Sequence, residues 1–480
     1  MKRLQYAAIL FSILTLTFSA CTKAEKKAAH KNILFIAVDD LKPDLGCYGD
    51  TVAVSPAIDK LASMGTVFTN NHTQQAVCAP SRASLLTGWR PDRTQVWDLK
   101  TLIRDKNPNV VTLPQYFKQH GYETAARGKI FDPRSVDKKL DEVSWSIPYK
   151  HPNRGRWIGT KERLITQNLD LPDEKFMDGS IAEQGIELLE KMSKSDRPFF
   201  LAVGFKKPHL PFVAPKKCWD LYDRSQFHLA AFRDHAKNAP EFAFQPGWEL
   251  RGGYDYVPKT GPIPDDMQLE LIHGYYACIS HTDQQIAKVL NKLDELGLRD
   301  NTIVILWGDH GWHLGDHSMW CKHTNFEQAT RSPLIISAPA IKGGNKNASP
   351  TEFVDVFPTL CELAGIETPQ GLDGKSLIPI MTNSVQRVKN YAVSEFHRFN
   401  GEQKIEGYTL RTDKYRYTVW VPLEVREGAA YNEDEVVAVE LYDYVKDPLE
   451  TVNHYNEPEY KEIQKRLSGY MKEYFSNRKK

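Results

Sequence analysis

Four apolar runs in this 480-residue sequence end on side chains able to do chemistry. Asn32 to Val38 (NILFIAV) runs into Asp39-Asp40, and Phe199 to Phe205 (FFLAVGF) into Lys206-Lys207-Pro208-His209. Asn301 to Trp307 (NTIVILW) runs into Gly308-Asp309-His310-Gly311, and Tyr122 to Ala126 leads to Arg127-Gly128-Lys129. Adjacent carboxylates repel each other unless a cation lies between them, and hard oxygen donors select Ca2+ or Mg2+. Asp39-Asp40 alone fits a turn or a helix cap equally well; the second Asp-His pair at 309–310 shifts the balance toward a metal. Cys78 opens a further candidate. In Cys78-Ala79-Pro80-Ser81-Arg82-Ala83-Ser84-Leu85-Leu86-Thr87-Gly88, Pro80 suits the first turn of a helix and Gly88 lies beyond its end. Cys78 then stands at a helix N-terminus, where free N–H groups and the dipole favour an anion, with Arg82 one turn on. This reads as an activated thiol beside an anion pocket. A lone cysteine would instead be read as buried and inert.

The elements needed to bring these residues together are legible. Unbroken apolar runs without alternation suit a parallel sheet covered on both faces, and Pro333 to Ser337 reads as another strand. Helical patterns lie between them: Pro56 to Met64 with Ser55 as cap, Leu113 to His120, Ile181 to Met192, and a long segment from Asp266 to Leu296. The alternation predicts an α/β doubly wound, mostly parallel sheet, whose ligands collect beyond the carboxyl ends of its strands. One shared site is therefore expected. After about residue 385 the texture changes to short half-exposed strands (391–396, 407–411, 415–421, 436–444) and a final helix over 458–475. This predicts a smaller C-terminal α+β domain with an antiparallel sheet.

The stretch from Cys78 to Gly88 has the pattern C-x-P-S-R-x-x-x-x-T-G, and by it the chain resembles the sulfatase family. Its nearest likeness is the iduronate 2-sulfatase type. Further matches are Val38-Asp39-Asp40-Leu41, Leu45 to Asp50, Gln74 to Val77, Pro114 to Phe117, Lys207-Pro208-His209, Tyr275-Tyr276-Ala277 and Asn325-Phe326. The resemblance implies an alkaline-phosphatase-like fold and a cysteine oxidised after synthesis to Cα-formylglycine (3-oxoalanine) by a formylglycine-generating enzyme. It implies one Ca2+ bound by Asp39, Asp40, Asp309, His310 and the residue derived from Cys78. It also gives Arg82 a catalytic place beside residue 78. Lys129 and Lys322 would hold the sulfate, and His209 or a lysine would protonate the leaving alcohol, as the charge that builds on the bridging oxygen requires. Taken singly, each lysine would read as a solvated surface charge. His313, His317 and His323 are left as supporting or surface residues. Where many sulfatases carry a histidine after Gly-Lys, this chain has Ile130-Phe131-Asp132, so either Asp132 or another histidine takes that place or the pocket differs. Trp97 and Asp98 are sugar-contact candidates that fit packing or a surface turn equally well.

Composition sets the outer limits. The chain is 41% hydrophobic and 26% charged, and 62 basic against 61 acidic residues argue against a general nucleic-acid binder. Lys2 and Arg3, the apolar stretch Ala7 to Phe18 and Ser19-Ala20-Cys21 read as a signal peptide. It resembles a lipoprotein signal with Cys21 lipidated, although Phe18 departs from the usual Leu; the other reading is an ordinary cleaved signal. The expected organisation is a signal over 1–21, a tether over 22–31, a catalytic domain over 32–385 and a subdomain over 386–480, exported to the periplasm or anchored outside the cytoplasm. The seven cysteines show no CxxC pair. By the resemblance, the expected activity is removal of 2-O-sulfate from uronic acids, iduronate or a lyase-generated unsaturated uronate, in glycosaminoglycan oligosaccharides. The alternatives are a sulfatase for another glycan position, a phosphatase or phosphodiesterase of the same superfold, and a non-catalytic glycan-binding lipoprotein.

Overall fold

The computed structural model describes residues 30–149 and 164–478. The signal, Cys21 and most of the tether lie outside the described residues. Among them, seven strands form one sheet: β1 (Asn32–Val38), β2 (Thr66–Phe68), β3 (Glu123–Gly128), β4 (Phe199–Phe205), β5 (Thr302–Gly308), β6 (Leu334–Ser337) and β7 (Asn345–Asn347). The order is β7-β2-β6-β5-β1-β4-β3. Strands β5, β1, β4 and β3 pair in parallel, β7 is parallel to β2, and β6 runs antiparallel to both neighbours.

Every residue of β1, β4 and β5 is buried, which is why these strands read as continuous apolar runs. Period-two alternation divides them between two cores. Leu34, Ile36 and Val38 enter one with Leu201, Val203, Val304 and Leu306; Ile33, Phe35 and Ala37 enter the other with Phe200, Ile303 and Ile305. Helices α1 (Pro56–Ser63), α2 (Cys78–Thr87), α3 (Leu113–Gln119), α4 (Met177–Met192), α5 (Trp248–Gly253), α6 (Asp265–Glu295) and α7 (Val356–Leu363) follow in chain order. The apolar faces of α1, α4 and α6 fill the first core, and those of α2, α3 and α7 the second. The doubly wound sheet is as expected.

One cap differs from expectation. Ser55 stands at the N-cap of α1, but its side chain accepts no N–H of the helix. Its hydroxyl instead accepts from Gly46 N and donates to Asp59. Asp283, reaching across from α6, accepts the Ala57 and Ile58 N–H groups at 3.1 and 2.8 Å. A carboxylate from a distant helix thus fills the place a local hydroxyl was expected to take.

Beyond the main sheet, β8 (Ala392–Asn400), β9 (Gln403–Arg411), β10 (Tyr415–Pro422) and β11 (Ala438–Asp443) form an antiparallel sheet in consecutive order. Strands β8 and β9 join through a two-residue turn with Gly401 at φ +61°. Helix α8 (Lys461–Asn477) covers one face with Leu467, Met471 and Tyr474. The other face meets the main body through Trp420, Tyr442 and Phe326. From Lys31 on, the described residues form one compact unit.

Candidate active site

The carboxyl ends of β1, β3, β4 and β5 open on one side of the sheet. They deliver Asp39-Asp40, Lys129, Lys206 to His209, and Asp309-His310 to one place. Helix α2 begins there with Cys78, preceded by extended Val77, and all ten of its residues are buried. Pro80 occupies its first turn without losing a bond, since N–H groups there have no partner within the helix. The Ser81 hydroxyl donates to the Asp309 carbonyl and ties the helix start to the end of β5.

Arg82 is the organising cation, fully buried. Its Nε donates to Asp309 at 2.9 Å and its Nη2 to Asp39 at 3.1 Å, while Nη1 binds the Lys129 and Ile130 carbonyls. Asp39 also receives Lys129 Nζ at 2.7 Å on each oxygen. Burial pushes its carboxyl up, but Lys129, His209 and Arg82 reverse this and hold it well below the usual carboxylate range. Lys322 Nζ lies 2.9 Å from one oxygen of Asp40 and 3.8 Å from Cys78 Sγ. The Tyr275 hydroxyl donates to the Asp40 carbonyl and accepts Lys42 N–H, fixing the backbone where Asp40 has φ +57°.

Cys78 Sγ lies 3.5 Å from Asp39, 3.9 Å from Asp40 and 3.4 Å from His310 Nε2. Burial and then the Asp39 charge push its thiol well above the ordinary cysteine value. The favourable field of the helix start and of Lys129 and Lys322 is thus opposed by burial and by the Asp39 and Asp309 charges.

Asp40, Cys78, Asp309 and His310 present ligand atoms within 4.8 Å of one another, as do Asp39, Asp40, Cys78 and His209. Nδ1–H of His310 donates to the Gly311 carbonyl, so the Nε2 lone pair faces Asp40 and Cys78. Such an outer hydrogen bond fixes the tautomer a metal ligand needs. Three carboxylates and one imidazole fit a hard divalent cation. Asp39, Asp40 and Asp309 are matched in charge by Arg82, Lys129 and Lys322. A divalent cation would leave the cluster net positive and receptive to an anion.

His209 Nδ1–H donates to the Leu210 carbonyl, which turns Nε2 toward Asp40 (3.8 Å) and Glu249 (3.1 Å). Glu249, on α5, also accepts Lys322 at 3.1 Å. It joins the two groups expected to hold and protonate substrate, yet lies in a segment without strand or helix periodicity, and nothing local marks it. Asp132 forms a bidentate pair with Arg134 at 2.9 and 2.8 Å and lies 3.6 Å from Lys129. Burial raises its carboxyl, and Arg134 and Lys129 pull it well below the usual range, so it is a charged brace behind Lys129. The histidine beside Cys78 is His310. His313 and His317 are buried and His323 is half-buried, which fits supporting residues. Trp97 donates to Glu395 at 2.6 Å under the Arg426 guanidinium, and exposed Asp98 caps Lys100 and Thr101. Of the six cysteines described, none forms a disulfide; Cys218, Cys278, Cys321 and Cys361 are buried and Cys47 is half-buried.

Comparison with known proteins places this arrangement. Residues 31–366 match the family described as Sulfatase, and residues 315–477 match N-sulphoglucosamine sulphohydrolase, C-terminal. The chain belongs to the sulfatase family. This sulfatase is 35% identical to human iduronate 2-sulfatase over 533 aligned positions, covering 95% of its own chain and 96% of that relative. A solved structure in complex with its substrate D-glucosamine-2-N,6-O-disulfate superposes with TM-score 0.73 at 22% identity, over 92% of this chain and 97% of the other. The phosphonate monoester hydrolase of Silicibacter pomeroyi superposes with TM-score 0.75 at 21% identity, over 94% and 96%. These two likenesses speak to the fold, which is alkaline-phosphatase-like. The sulfatase is a sulfuric ester hydrolase.

Proposed function

We propose that this sulfatase removes the 2-O-sulfate of uronic acid residues, iduronate or a lyase-generated unsaturated uronate, from glycosaminoglycan oligosaccharides. The observation that carries this reading is the 35% identity to human iduronate 2-sulfatase along nearly the whole of both chains. Cys78, converted to formylglycine by a maturation enzyme, together with one Ca2+ held by Asp39, Asp40, Asp309, His310 and residue 78, would supply an oxygen nucleophile for sulfur and a second hydroxyl to release the sulfate. The chain's own groups do the rest. Arg82 holds Asp39 and Asp309 in register. The Lys129 and Lys322 ammoniums, buried and preorganised, offset charge on the sulfate oxygens as the S–O bond breaks. Nε2 of His209 faces the leaving-group side and delivers a proton to the sugar oxygen. Trp97 and Asp98 serve as outer sugar contacts.

The same reading takes the protein outside the cytoplasm, in the periplasm or on a lipid at Cys21, with the body over 32–385 and the subdomain over 386–480. No helix among the described residues is long and apolar enough to cross a membrane. Defined sulfated disaccharides test the substrate directly: 2-O-sulfate release from uronates is expected, and release of 6-O- but not 2-O-sulfate would refute the assignment. The likeness to a phosphonate monoester hydrolase keeps one rival. Turnover of phosphate or phosphonate esters far above that of sulfates would favour it.

A further inference from the structure

Arg398 is a buried cation without a carboxylate. It lies on β8, is 5% exposed, and among the described residues forms no ion pair. Its guanidinium donates to three backbone carbonyls: His397 at 2.9 Å, Ala243 at 3.4 Å, and His323. Three of the five N–H donors of an arginine are thereby used. Nε–H is one of those left over, buried and without a partner. A full positive charge kept from water with only neutral oxygens beside it is costly, and an incoming anion would relieve that cost. Burial draws this guanidinium down to about 10, with only Glu406 and Glu440 opposing.

The surroundings say what kind of anion fits. The Phe396 and Trp248 rings lie 4.6 and 5.9 Å from the guanidinium carbon. Trp248 is 55% exposed, a large flat ring facing solvent of the kind that receives the apolar face of a sugar. Arg398 grips the carbonyl of His323, the residue after Lys322, whose ammonium reaches to 3.8 Å from Cys78. Trp248 immediately precedes Glu249, which touches both His209 and Lys322. The carbonyl that Arg398 holds and the exposed ring thus belong to residues next in the chain to Lys322 and Glu249.

We propose that Arg398, flanked by Trp248, receives the carboxylate of the uronic acid whose 2-O-sulfate is cleaved; this rests on the uronate reading given above. Arg398 is then a specificity-determining residue supplied by the C-terminal sheet to a site built by the main sheet.

The test compares matured wild type, Arg398→Gln and Arg398→Lys on two 2-O-sulfated disaccharides. These differ only at the uronate C6, carboxylate in one and primary alcohol after carboxyl reduction in the other. Each is made with and without a 6-O-sulfate on the neighbouring glucosamine. Arg398→Gln is expected to lower kcat/KM about 10- to 100-fold on the carboxylate substrate, and several-fold less on the alcohol. Arg398→Lys should recover part of the loss. Equal losses on both substrates would reduce Arg398 to a structural tie and overturn the proposal. A loss that follows the 6-O-sulfate instead of the carboxylate would overturn it too. Wild type needs no variant: if it releases 2-O-sulfate without preferring the carboxylate, the proposal fails even where Arg398→Gln does not fold. If wild type releases no 2-O-sulfate from either substrate, it is the uronate reading that has failed.

Discussion

The proposed roles of one imidazole and two ammoniums at the centre of the site can be separated by choice of substrate. His209 turns Nε2 toward Asp40 and Glu249 because Nδ1–H is spent on the Leu210 carbonyl, while Lys129 and Lys322 hold the carboxylates beside Cys78. If His209 protonates the leaving alcohol, its loss matters most when that alcohol is a poor leaving group. His209→Asn should cost about 10²- to 10⁴-fold in kcat on a sugar 2-O-sulfate and far less on an activated aryl sulfate. Steady-state kinetics on the pair check this, and equal losses would move the role to a lysine. Most residues around Cys78 were legible in the sequence because each follows an apolar run or sits in a dense local motif. Glu249 and Arg398 were not. Their meaning depends on partners more than 70 residues away in the chain, Lys322 and His323. The surroundings of the Cys78 thiol were hidden for a similar reason: a helix start is visible locally, but the burial and the Asp39 charge that push the thiol up come from elsewhere in the fold.

Secondary elements show the same division. Strands β1, β4 and β5 were recognisable because both their faces are buried, so composition alone marks them. The cap of α1 was not, since Asp283 arrives from a helix more than 200 residues away. That carboxyl is pushed up to about 7, because burial outweighs the two N–H donors. A carboxyl raised on folding binds its proton more tightly in the native state. The stability it contributes is complete below the unfolded value of roughly 4 and is lost as pH rises through about 7. Wild type should therefore lose stability relative to Asp283→Asn between these limits, measured by denaturant titration at several pH values. Asp283→Ala, which removes the cap outright, should cost about 1–2 kcal/mol at pH 5.

For the whole molecule, the small sheet is held to the body by buried charge as well as apolar contact. Arg411 on β9 pairs with Glu327 at 2.9 and 3.1 Å, and Arg416 on β10 pairs with Glu450, whose other oxygen accepts Glu327 N–H at 3.0 Å. Arg411→Ala leaves Glu327 buried without its cation and should cost about 3–5 kcal/mol, read as a lower midpoint in chemical unfolding. The same change should depress activity, because Glu327 lies on the chain that also carries Lys322. In the proposed reading, main sheet, small sheet and candidate metal-ligand cluster all serve one residue, and the account stands or falls on its chemical form. Peptide mass spectrometry of residue 78 in preparations of graded activity is the most direct test. Specific activity should rise in proportion to the fraction of Cys78 converted to formylglycine. Full activity in protein carrying only the thiol at residue 78 would contradict the account.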